Sequence, residues 1–291
     1  MKKTKAYAKI NLSLNILGVS DGFHALDSVV TTINLYDTVT VRKRKDDKIT
    51  LTMKGIGANI LLDERQNNAY KAAVLFKQTF GVKGVDIAIL KRIPLSGGLG
   101  GSSADIAGVL NAMKDLFDIS EDVKPLADKL GSDSGYLLNG GFARISGRGE
   151  KVSLIDSYND FWVVLVFAES GVNTASCFKK YDEEVKDGTL SNNENLQNAI
   201  LKGDLISISK EVNNALALPA TYLNSEVSAN LKALKDLSPL CASVSGSGST
   251  VFAIFETKEL TLWAVDRLKK LGFDAMAVKT VSNTKKQSLF I

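Results

Sequence analysis

The sequence predicts a mixed α/β protein of the α+β kind, built from two domains. Residues 6–16 alternate between apolar and polar side chains, which is typical of a strand with one apolar face. A glycine-rich run at 96–101 separates a strand-like segment from a helix-like one. The apolar pattern restarts beyond residues 150–160, and a chain of 291 residues is long enough for about two domains. We therefore expect one domain at 1–155 and a second at 156–291.

The composition excludes several classes of protein. Apolar residues make up 45% and charged residues 23%, as in ordinary globular proteins, and no apolar run reaches the roughly 18 residues of a membrane span. Two distant cysteines, Cys177 and Cys241, and one histidine cannot build a disulfide framework or a zinc site. A net charge of +4 is too small to indicate nucleic-acid binding. We expect a cytoplasmic protein, monomeric or homodimeric, without a membrane or nucleic-acid partner.

The first half begins with strands. In the strand at 6–16 the side chains of Lys9, Asn11 and Ser13 are expected to point away from the core. A turn is expected at Gly18–Gly22, followed by strands at about 26–35, 37–44 and 48–54. The basic run at 42–45 is followed at once by two aspartates, so we interpret it as the exposed end of a hairpin.

Helices alternate with strands in the rest of the first half. Apolar residues at helical spacing predict a helix over 68–80, and residues 85–89 predict a strand that runs toward Pro94. A glycine- and serine-rich loop follows, and then a helix that ends near Phe117. A further helix is expected at 121–130, ended by Gly131.

The second half repeats no segment of the first. Residues 161–168 form a continuous apolar run, which predicts a buried strand, and polar sequence at 187–198 separates helical segments. The other expected elements are a helix ending at 231–237, a strand–turn–strand unit at 242–255, a helix at 259–271, and strand-like ends at 273–280 and 286–291.

The loop that starts at Pro94 has the features of a phosphate-binding loop. Glycines let the backbone approach an anion closely, and the helix that follows offers unpaired N–H groups and the positive end of its dipole. The loop contains neither Gly-Lys-Ser/Thr nor Gly-x-Gly-x-x-Gly, so it is not a Walker A loop or a dinucleotide fingerprint. The alternative is a flexible loop without a ligand.

The loop resembles the ATP-binding loop of the GHMP kinases, the superfamily of galactokinase, homoserine kinase, mevalonate kinase and phosphomevalonate kinase. Two further segments resemble motifs of this family in the same order. They are Ala8–Leu12 at the N-terminus and Ser245–Phe252 toward the C-terminus. The resemblance implies an N-terminal domain like ribosomal protein S5 domain 2, a ferredoxin-like C-terminal domain, a small-molecule substrate, and ATP and Mg²⁺ as cofactors.

The resemblance also implies roles for individual residues. Lys9 and Asp133 would be catalytic: Asp133 would act as a base toward the acceptor hydroxyl, and Lys9 would supply a cation beside it. Ser103 would bind Mg²⁺ through its hydroxyl. The residues expected to bind ATP are Asn67, Lys91, Pro94, Gly97, Gly98, Leu99, Gly100, Gly101, Ser102 and Ser103.

Plainer interpretations stay open for several of these residues. Lys9 could be an exposed strand lysine, Asp133 a turn aspartate that caps its own backbone, and Asn67 a helix N-cap. Gly131–Gly135 also resembles a nucleophile elbow, but its central residue is aspartate and the only histidine precedes it, which argues against a serine hydrolase.

Finer features resemble one branch of the family, the 4-diphosphocytidyl-2-C-methyl-D-erythritol kinases. They lie at Asp21–His24, Asn67–Ala72, Leu130–Asp133 and Gly140–Glu150. The branch implies a cytidine-linked acceptor. The residues expected to contact it are Asn11, Phe23, His24, Phe178, Gly246 and Ser247.

This chain also departs from the branch, so other functions stay open. It has Ser134-Gly135 where the branch usually has Val-Pro, Phe23 where it has tyrosine, and a loop one residue shorter between Leu99 and Ser102. The alternatives are a related kinase with a different polyol or nucleotide-linked acceptor, and a non-catalytic binding protein of the same fold. At residue level, His24 could be a surface histidine, Phe178 a core residue, and Gly246–Gly248 a simple hairpin turn.

Overall fold

The computed structural model describes residues 1–20, 22–57, 63–184 and 190–282. Its first half contains an antiparallel-rich sheet and the helices that cover it. The elements of this half are β1 (Lys2–Asn11), β2 (Ser13–Ser20), β3 (Phe23–Lys43), β4 (Ile49–Gly55), α1 (Asn68–Phe80), β5 (Val85–Lys91), α2 (Gly101–Phe117), α3 (Lys124–Asp128), α4 (Ser134–Leu137), β6 (Phe142–Gly147) and β7 (Lys151–Ile155).

Strand β3 is the centre of this sheet. It is 21 residues long, and β1 and β2 pair with it along one side while β5 and β6 pair along the other. The sequence predicts two strands here, at 26–35 and 37–44, and this is wrong. The two predicted segments form one strand, because the pairing with β1 runs across both, and a register shift between Tyr7 and Lys9 places the extra residues on β3.

Three other expectations at this end need correction. The strand predicted at 6–16 is divided at Leu12 into β1 and β2, which pair with successive parts of β3. The predicted turn lies later than expected, because β2 continues through a register shift at Gly18, and Asp21 lies outside the described residues. The basic run at 42–45 does not end a hairpin, because β5 lies between β3 and β4.

Helices α1 and α2 pack against the sheet as the sequence predicts. Helix α1 buries Ala69, Ala72, Ala73 and Phe76, and Gly81 ends it in a left-handed conformation. The helix predicted at 121–130 is shortened to α3. Pro125 lies in the first turn of α3, where its missing N–H costs nothing, and it cannot lie deeper in a helix.

The second half supplies a smaller sheet with the strand order β10-β11-β8-β12. Its predicted strands and its last helix are confirmed, residues 286–291 lie outside the described part, and so does part of the polar segment at 187–198. The elements are β8 (Trp162–Val166), α5 (Thr174–Glu184), α6 (Asn193–Lys202), α7 (Leu205–Glu211), β9 (Asn213–Asn214), α8 (Ala217–Leu223), α9 (Ser225–Lys235), β10 (Cys241–Val244), β11 (Val251–Ile254), α10 (Lys258–Lys270) and β12 (Ala275–Lys279).

The two halves share packing. Strand β9 pairs with β2 of the first sheet, and one apolar cluster includes Ile10 and Phe76 together with Val163 and Phe252. A boundary between 155 and 156 stays a prediction, since this core crosses it. No helix of the described residues is both long enough and apolar enough to span a membrane.

Candidate active site

A cleft of about 1120 Å³ lies where the glycine loop, strand β1, the α4 turn and the second half of the chain meet. Most of the residues predicted for the site line it. Those that do are Lys9, Asn11, Phe23, His24, Pro94, Gly97, Gly98, Leu99, Gly100, Gly101, Ser102, Ser103, Asp133, Phe178, Gly246 and Ser247.

Lys9 and Asp133 form an ion pair at the centre of the cleft. Lys9 Nζ lies 3.5 Å from Asp133 Oδ2 and donates a hydrogen bond of 2.6 Å to Asn11 Oδ1. Lys9 is only 5% exposed, so it is not an exposed strand lysine. Asp133 is the residue before α4, but its carboxylate makes no capping bond to the helix backbone. Its carboxylate is thus free to face the cleft beside the ammonium.

A buried chain of hydrogen bonds orients Lys9 from behind. The amide of Asn11 accepts from Lys9 and donates to Ser28 Oγ at 2.9 Å, and Ser28 in turn donates to the Ser13 carbonyl. Asn11 therefore holds the ammonium directly, in addition to lining the cleft. Sequence reasoning missed Ser28, because it lies on β3 with no motif around it.

Lys9, Asn11 and Ser13 point away from the first core, as predicted, and all three are buried. The second half covers that face. Ser13 Oγ donates to Asn193 Oδ1 at 2.6 Å, and a Cβ atom at Gly246 would lie 3.5 Å from Lys9 Nζ.

Gly135, one of the two residues of the Ser134-Gly135 departure, packs against Asp128 in the α4 turn. Gly135 is buried, and a Cβ atom there would overlap the carboxylate of Asp128. Asp128 pairs with Lys124 at 2.6 Å, and Lys124 also donates to the Glu150 carbonyl at 3.0 Å. A side chain at position 135 would have to displace the Asp128 carboxylate from this arrangement.

The glycine loop is fixed on both sides. Leu99 O accepts from Lys9 N at 3.0 Å, Gly97 O accepts from Thr250 N at 3.1 Å, and Gly98 O accepts from Ser245 Oγ at 2.9 Å. The loop is thus tied to β1 and to the turn between β10 and β11.

The start of α2 is suited to bind an anion. Gly100 precedes the helix in a left-handed conformation with φ 70°, and no side chain caps the first turn. The N–H groups of this turn are left for a ligand, and the helix dipole favours a negative charge there. Ser102 accepts a hydrogen bond of 3.0 Å from Asn68, which orders its side chain.

The cleft offers oxygen ligands of the kind that Mg²⁺ prefers. Ser103 and Asp133 supply one hydroxyl and one carboxylate. Within the described ranges, no group of three or more His, Cys, Asp and Glu residues could hold a metal alone. This donor set fits Mg²⁺, which is usually bound by one or two protein oxygens, phosphates and water.

Two residues predicted to bind ATP do not line the cleft. Lys91 is 3% exposed, and its ammonium is paired with Asp105 at 2.6 Å and with Asp37, so its assignment as a direct nucleotide contact is corrected to a support beneath the loop. Asn67 caps α1 by accepting from Ala69 N at 2.8 Å, which agrees with the plainer interpretation. A nucleotide contact of Asn67 stays a prediction.

The buried triad of Asp37, Lys91 and Asp105 joins the two ends of the loop. Asp37 accepts from the backbone N–H groups of Arg92 and Ile93, at the end of β5, while Asp105 lies in α2. Burial disfavours a charged Lys91, but the attraction of Asp105 and Asp37 outweighs it and raises the Lys91 pKa. Burial raises the pKa of Asp105 to about 7, and Lys91 offsets only part of this effect.

The triad predicts a pH-dependent stability. Because the Asp105 pKa is raised above that of an unfolded aspartate, about 3.9, the folded protein binds an extra proton between pH 4 and 7. Through this group the free energy of unfolding falls as pH rises through that window, by at most about 1.4 kcal/mol per pH unit, and the cost is complete above pH 7. Urea unfolding at several pH values should show that Asp105→Asn gains stability relative to wild type as pH rises from 4 to 7. A constant difference across that range would contradict the prediction.

Aromatic residues line the other end of the cleft. The ring of His24 stacks on Phe178 with centroids 4.7 Å apart, and its Nε2 lies 2.7 Å from Asp182 Oδ1. Phe23 is half exposed, and the guanidinium of Arg148 lies 3.7 Å from its ring centroid. Phe178 is half buried and also packs on the second core, so it is both a core and a cleft residue.

The turn between β10 and β11 is both a hairpin turn and part of the cleft wall. It joins antiparallel strands, as in a hairpin, and Gly246 and Ser247 also line the cleft. Asn214 donates to the Gly246 carbonyl at 2.7 Å, and Ser247 Oγ lies 2.9 Å from Thr174 Oγ1. These contacts fix the turn above Lys9 and Asn11.

Sequence reasoning missed three cleft residues near the aromatic end: Arg148, Lys179 and Asp182. Asp182 follows Phe178 by one helical turn, so helical spacing alone places the two on one face of α5. Arg148 lies in a segment that resembles the family, but its position opposite Phe23 depends on the pairing of β6 with β3.

Two family models match the chain. Residues 67–143 match the N-terminal domain of the GHMP kinases, and residues 196–272 match the GHMP kinases C terminal model. The chain belongs to the GHMP kinases. The resemblance seen in the sequence is confirmed, and so is the mixed α/β fold class of a two-domain GHMP kinase.

Relatives of this GHMP kinase agree over nearly the full length. It is 34% identical to the 4-diphosphocytidyl-2-C-methyl-D-erythritol kinase of Clostridium beijerinckii, over 96% of this chain and 100% of that protein. The enzyme of the same name from Clostridium tetani is 37% identical over 96% of this chain and 100% of its own.

Solved structures give the same result for the fold. The crystal structure of a 4-(cytidine 5'-diphospho)-2C-methyl-D-erythritol kinase superposes with a TM-score of 0.81 at 28% identity, covering 96% of this chain and 99% of the other. Homoserine kinase from Cytophaga hutchinsonii gives 0.73 at 21% identity, over 98% of this chain and 96% of its own, which shows a shared fold alone.

Proposed function

We propose that this GHMP kinase transfers the γ-phosphate of ATP to a hydroxyl of 4-diphosphocytidyl-2-C-methyl-D-erythritol. The observation that carries the proposal is the position of the Lys9–Asp133 pair. It lies between an uncapped helix N-terminus, which suits phosphates, and an aromatic recess around Phe23 and His24, which suits a base. The named relatives at 34% and 37% identity support the same acceptor.

The residues of the cleft have different roles in phosphoryl transfer. Asp133 accepts the proton of the acceptor hydroxyl while the acceptor oxygen bonds to the γ-phosphorus and the bond to the leaving oxygen breaks. Lys9 neutralises negative charge beside that carboxylate, and Asn11 keeps the ammonium in place. The N–H groups at the start of α2 bind phosphate oxygens.

Magnesium would be held by the Ser103 hydroxyl, together with phosphate oxygens and water. When bound, Mg²⁺ supplies neutralisation of the phosphate charge. Ser103 lines the cleft near Asp133, whose carboxylate is assigned to the acceptor proton.

A related kinase with another acceptor is the second candidate. Ser134-Gly135 and the loop between Leu99 and Ser102 lie beside the point where hydroxyl and γ-phosphate must align, and an error of about 1 Å there can cost about 10²-fold in rate. A non-catalytic protein is disfavoured, because such a protein has no need of a buried Lys9 paired with Asp133.

An acceptor panel tests the proposal. ADP release, coupled to a reporter reaction, is measured with the cytidylated methylerythritol, mevalonate, homoserine and galactose. We expect turnover with the first and none with the others. Faster turnover of another acceptor, or no binding of cytidine diphosphate at millimolar concentration, would refute the acceptor but not the kinase assignment.

Replacing His24 tests the recognition of the base. We expect His24→Ala to weaken the cytidine compound by about 1–3 kcal/mol, the usual cost of an unpaired buried polar group, with ATP affinity unchanged. Calorimetry with each ligand measures the two affinities. Equal losses for both ligands would place His24 outside the acceptor site.

A further inference from the structure

One face of α5 holds the His24 side chain. Phe178 and Asp182 are one helical turn apart, and both contact the imidazole: Phe178 covers its face, and Asp182 Oδ1 lies 2.7 Å from Nε2. Tyr181 meets the ring edge-on at a centroid distance of 6.3 Å. These contacts fix His24 in both position and orientation. Its side chain lies at the wall of the cleft and is 18% exposed.

The contact with Asp182 determines which nitrogen carries the proton. A carboxylate accepts hydrogen bonds and does not donate them, so Nε2 must be protonated. In a neutral imidazole the other nitrogen, Nδ1, is then an acceptor. None of the described residues gives Nδ1 a hydrogen bond, so this acceptor is available to a ligand in the cleft.

We propose that Asp182 is a positioning residue that makes the acceptor site selective for cytosine over uracil, by holding His24 with Nδ1 as a hydrogen-bond acceptor. This inference rests on the proposed function, because it concerns the base of the proposed acceptor. It adds a residue and a physical basis for the choice of base.

The two pyrimidines differ at the group that such an acceptor would read. Cytosine carries an exocyclic amine, a donor, at the position where uracil carries a carbonyl, an acceptor. Nδ1, as an acceptor, can form a hydrogen bond with the amine of cytosine. It cannot form one with the carbonyl of uracil, because both atoms are acceptors. Sites built to hydrogen-bond a group reject analogues that lack it far more strongly than apolar pockets reject a change in size.

The cations at this end of the cleft do not provide the same selection. Arg148 lies over the Phe23 ring, and Lys179 lines the cleft from the same helix as Asp182. Both are donors only, and they would favour the uracil carbonyl if they contacted the base. Selection for cytosine therefore needs an acceptor, and His24 with a protonated Nε2 supplies one.

The first test observes the tautomer directly. The chain contains a single histidine, so ¹⁵N-labelled histidine gives the resonances of one imidazole. Spectra at pH 8.5, above the usual range of histidine titration, should show a proton on Nε2 and none on Nδ1 in wild type. A proton on Nδ1, with Nε2 protonated or not, would overturn the proposal whatever the enzyme phosphorylates.

The second test measures selectivity. The ratio of kcat/KM for the cytidine acceptor to that for its uridine analogue is compared in wild type, Asp182→Ala and Asp182→Asn. We expect Asp182→Ala to lower this ratio at least about tenfold and to lose the Nε2–H preference, with the KM for ATP unchanged. Asp182→Asn retains an acceptor oxygen and should recover much of the selectivity ratio and of the Nε2–H preference.

Glu183→Gln is the matched control. Glu183 is on the same helix and equally exposed, but it pairs with Lys179 and Lys180 and not with His24, so its ratio should equal that of wild type. An unchanged ratio in Asp182→Ala would overturn the proposal. If wild type phosphorylates neither nucleotide-linked acceptor, the proposed function fails, and the NMR result still decides the tautomer.

Discussion

Replacing Asp133 with asparagine is expected to lower turnover by at least about 10²-fold, the usual scale for the loss of a positioned base. The carboxylate lies 3.5 Å from Lys9 Nζ and makes no capping bond to α4, so the substitution removes the base without releasing the turn. ATP affinity should change little, because the start of α2 and the glycine loop keep their contacts. Steady-state kinetics and calorimetry measure the two effects separately.

Asp128→Asn is a suitable control for this variant. Asp128 lies in the same short region, and its carboxylate pairs with Lys124 instead of facing the cleft. Loss of that pair should change stability modestly and leave turnover within a few fold of wild type. Near-wild-type turnover in Asp133→Asn would show that Asp133 is not the catalytic base and that its pairing with Lys9 has no catalytic role.

The difference between Lys9 and Lys91 shows what the sequence could predict. Both lysines lie on strands near a motif, and the family resemblance assigns a ligand contact to each. Lys9 faces the cleft, while Lys91 faces Asp37, which is 54 residues away in the chain, and Asp105. No local pattern reveals such a partner, because it depends on how β3, β5 and α2 pack together.

The strand alternation predicted the correct face for each side chain but not whether that face is covered. It places Lys9, Asn11 and Ser13 on the face opposite the first core, as the structure has them. That face is nevertheless buried, because residues of the second half, such as Asn193 and Gly246, cover it. Alternation reports the two faces of one strand, and what covers a face is a property of the tertiary structure.

Element lengths were predicted best where a helix has a clear end. Helix α1 ends before the left-handed Gly81, and α2 ends at Phe117, both as predicted. The 21-residue β3 was predicted as two strands. Pairing with strands on both sides keeps it continuous, and its own residues do not reveal this pairing.

Gly98→Ala is expected to weaken ATP binding severely while the protein still folds. Gly98 adopts a left-handed conformation with φ 72°, and a Cβ atom there would overlap the Ser245 carbonyl and lie 2.9 Å from the Gly248 carbonyl. Neither neighbour is a flexible side chain, so the glycine loop must move away from the turn between β10 and β11. That movement breaks the bond from Ser245 Oγ to Gly98 O and displaces the start of α2, where the phosphates are expected to bind.

Gly81→Ala separates this steric effect from backbone strain. Gly81 has φ 64°, close to that of Gly98, but a Cβ atom there meets nothing within 4 Å, and it lies at the end of α1 outside the cleft. Gly81→Ala should lose about 1–2 kcal/mol of stability, the cost of a left-handed alanine, and Gly98→Ala should lose more, because steric overlap adds to the same strain. Only Gly98→Ala should lose ATP affinity, by more than about tenfold in calorimetry, because a shift of about 1 Å in the loop misplaces every phosphate contact. Equal ATP affinity in the two variants would show that the glycine loop does not hold the phosphates, and the anion site at the start of α2 would have to be abandoned with it.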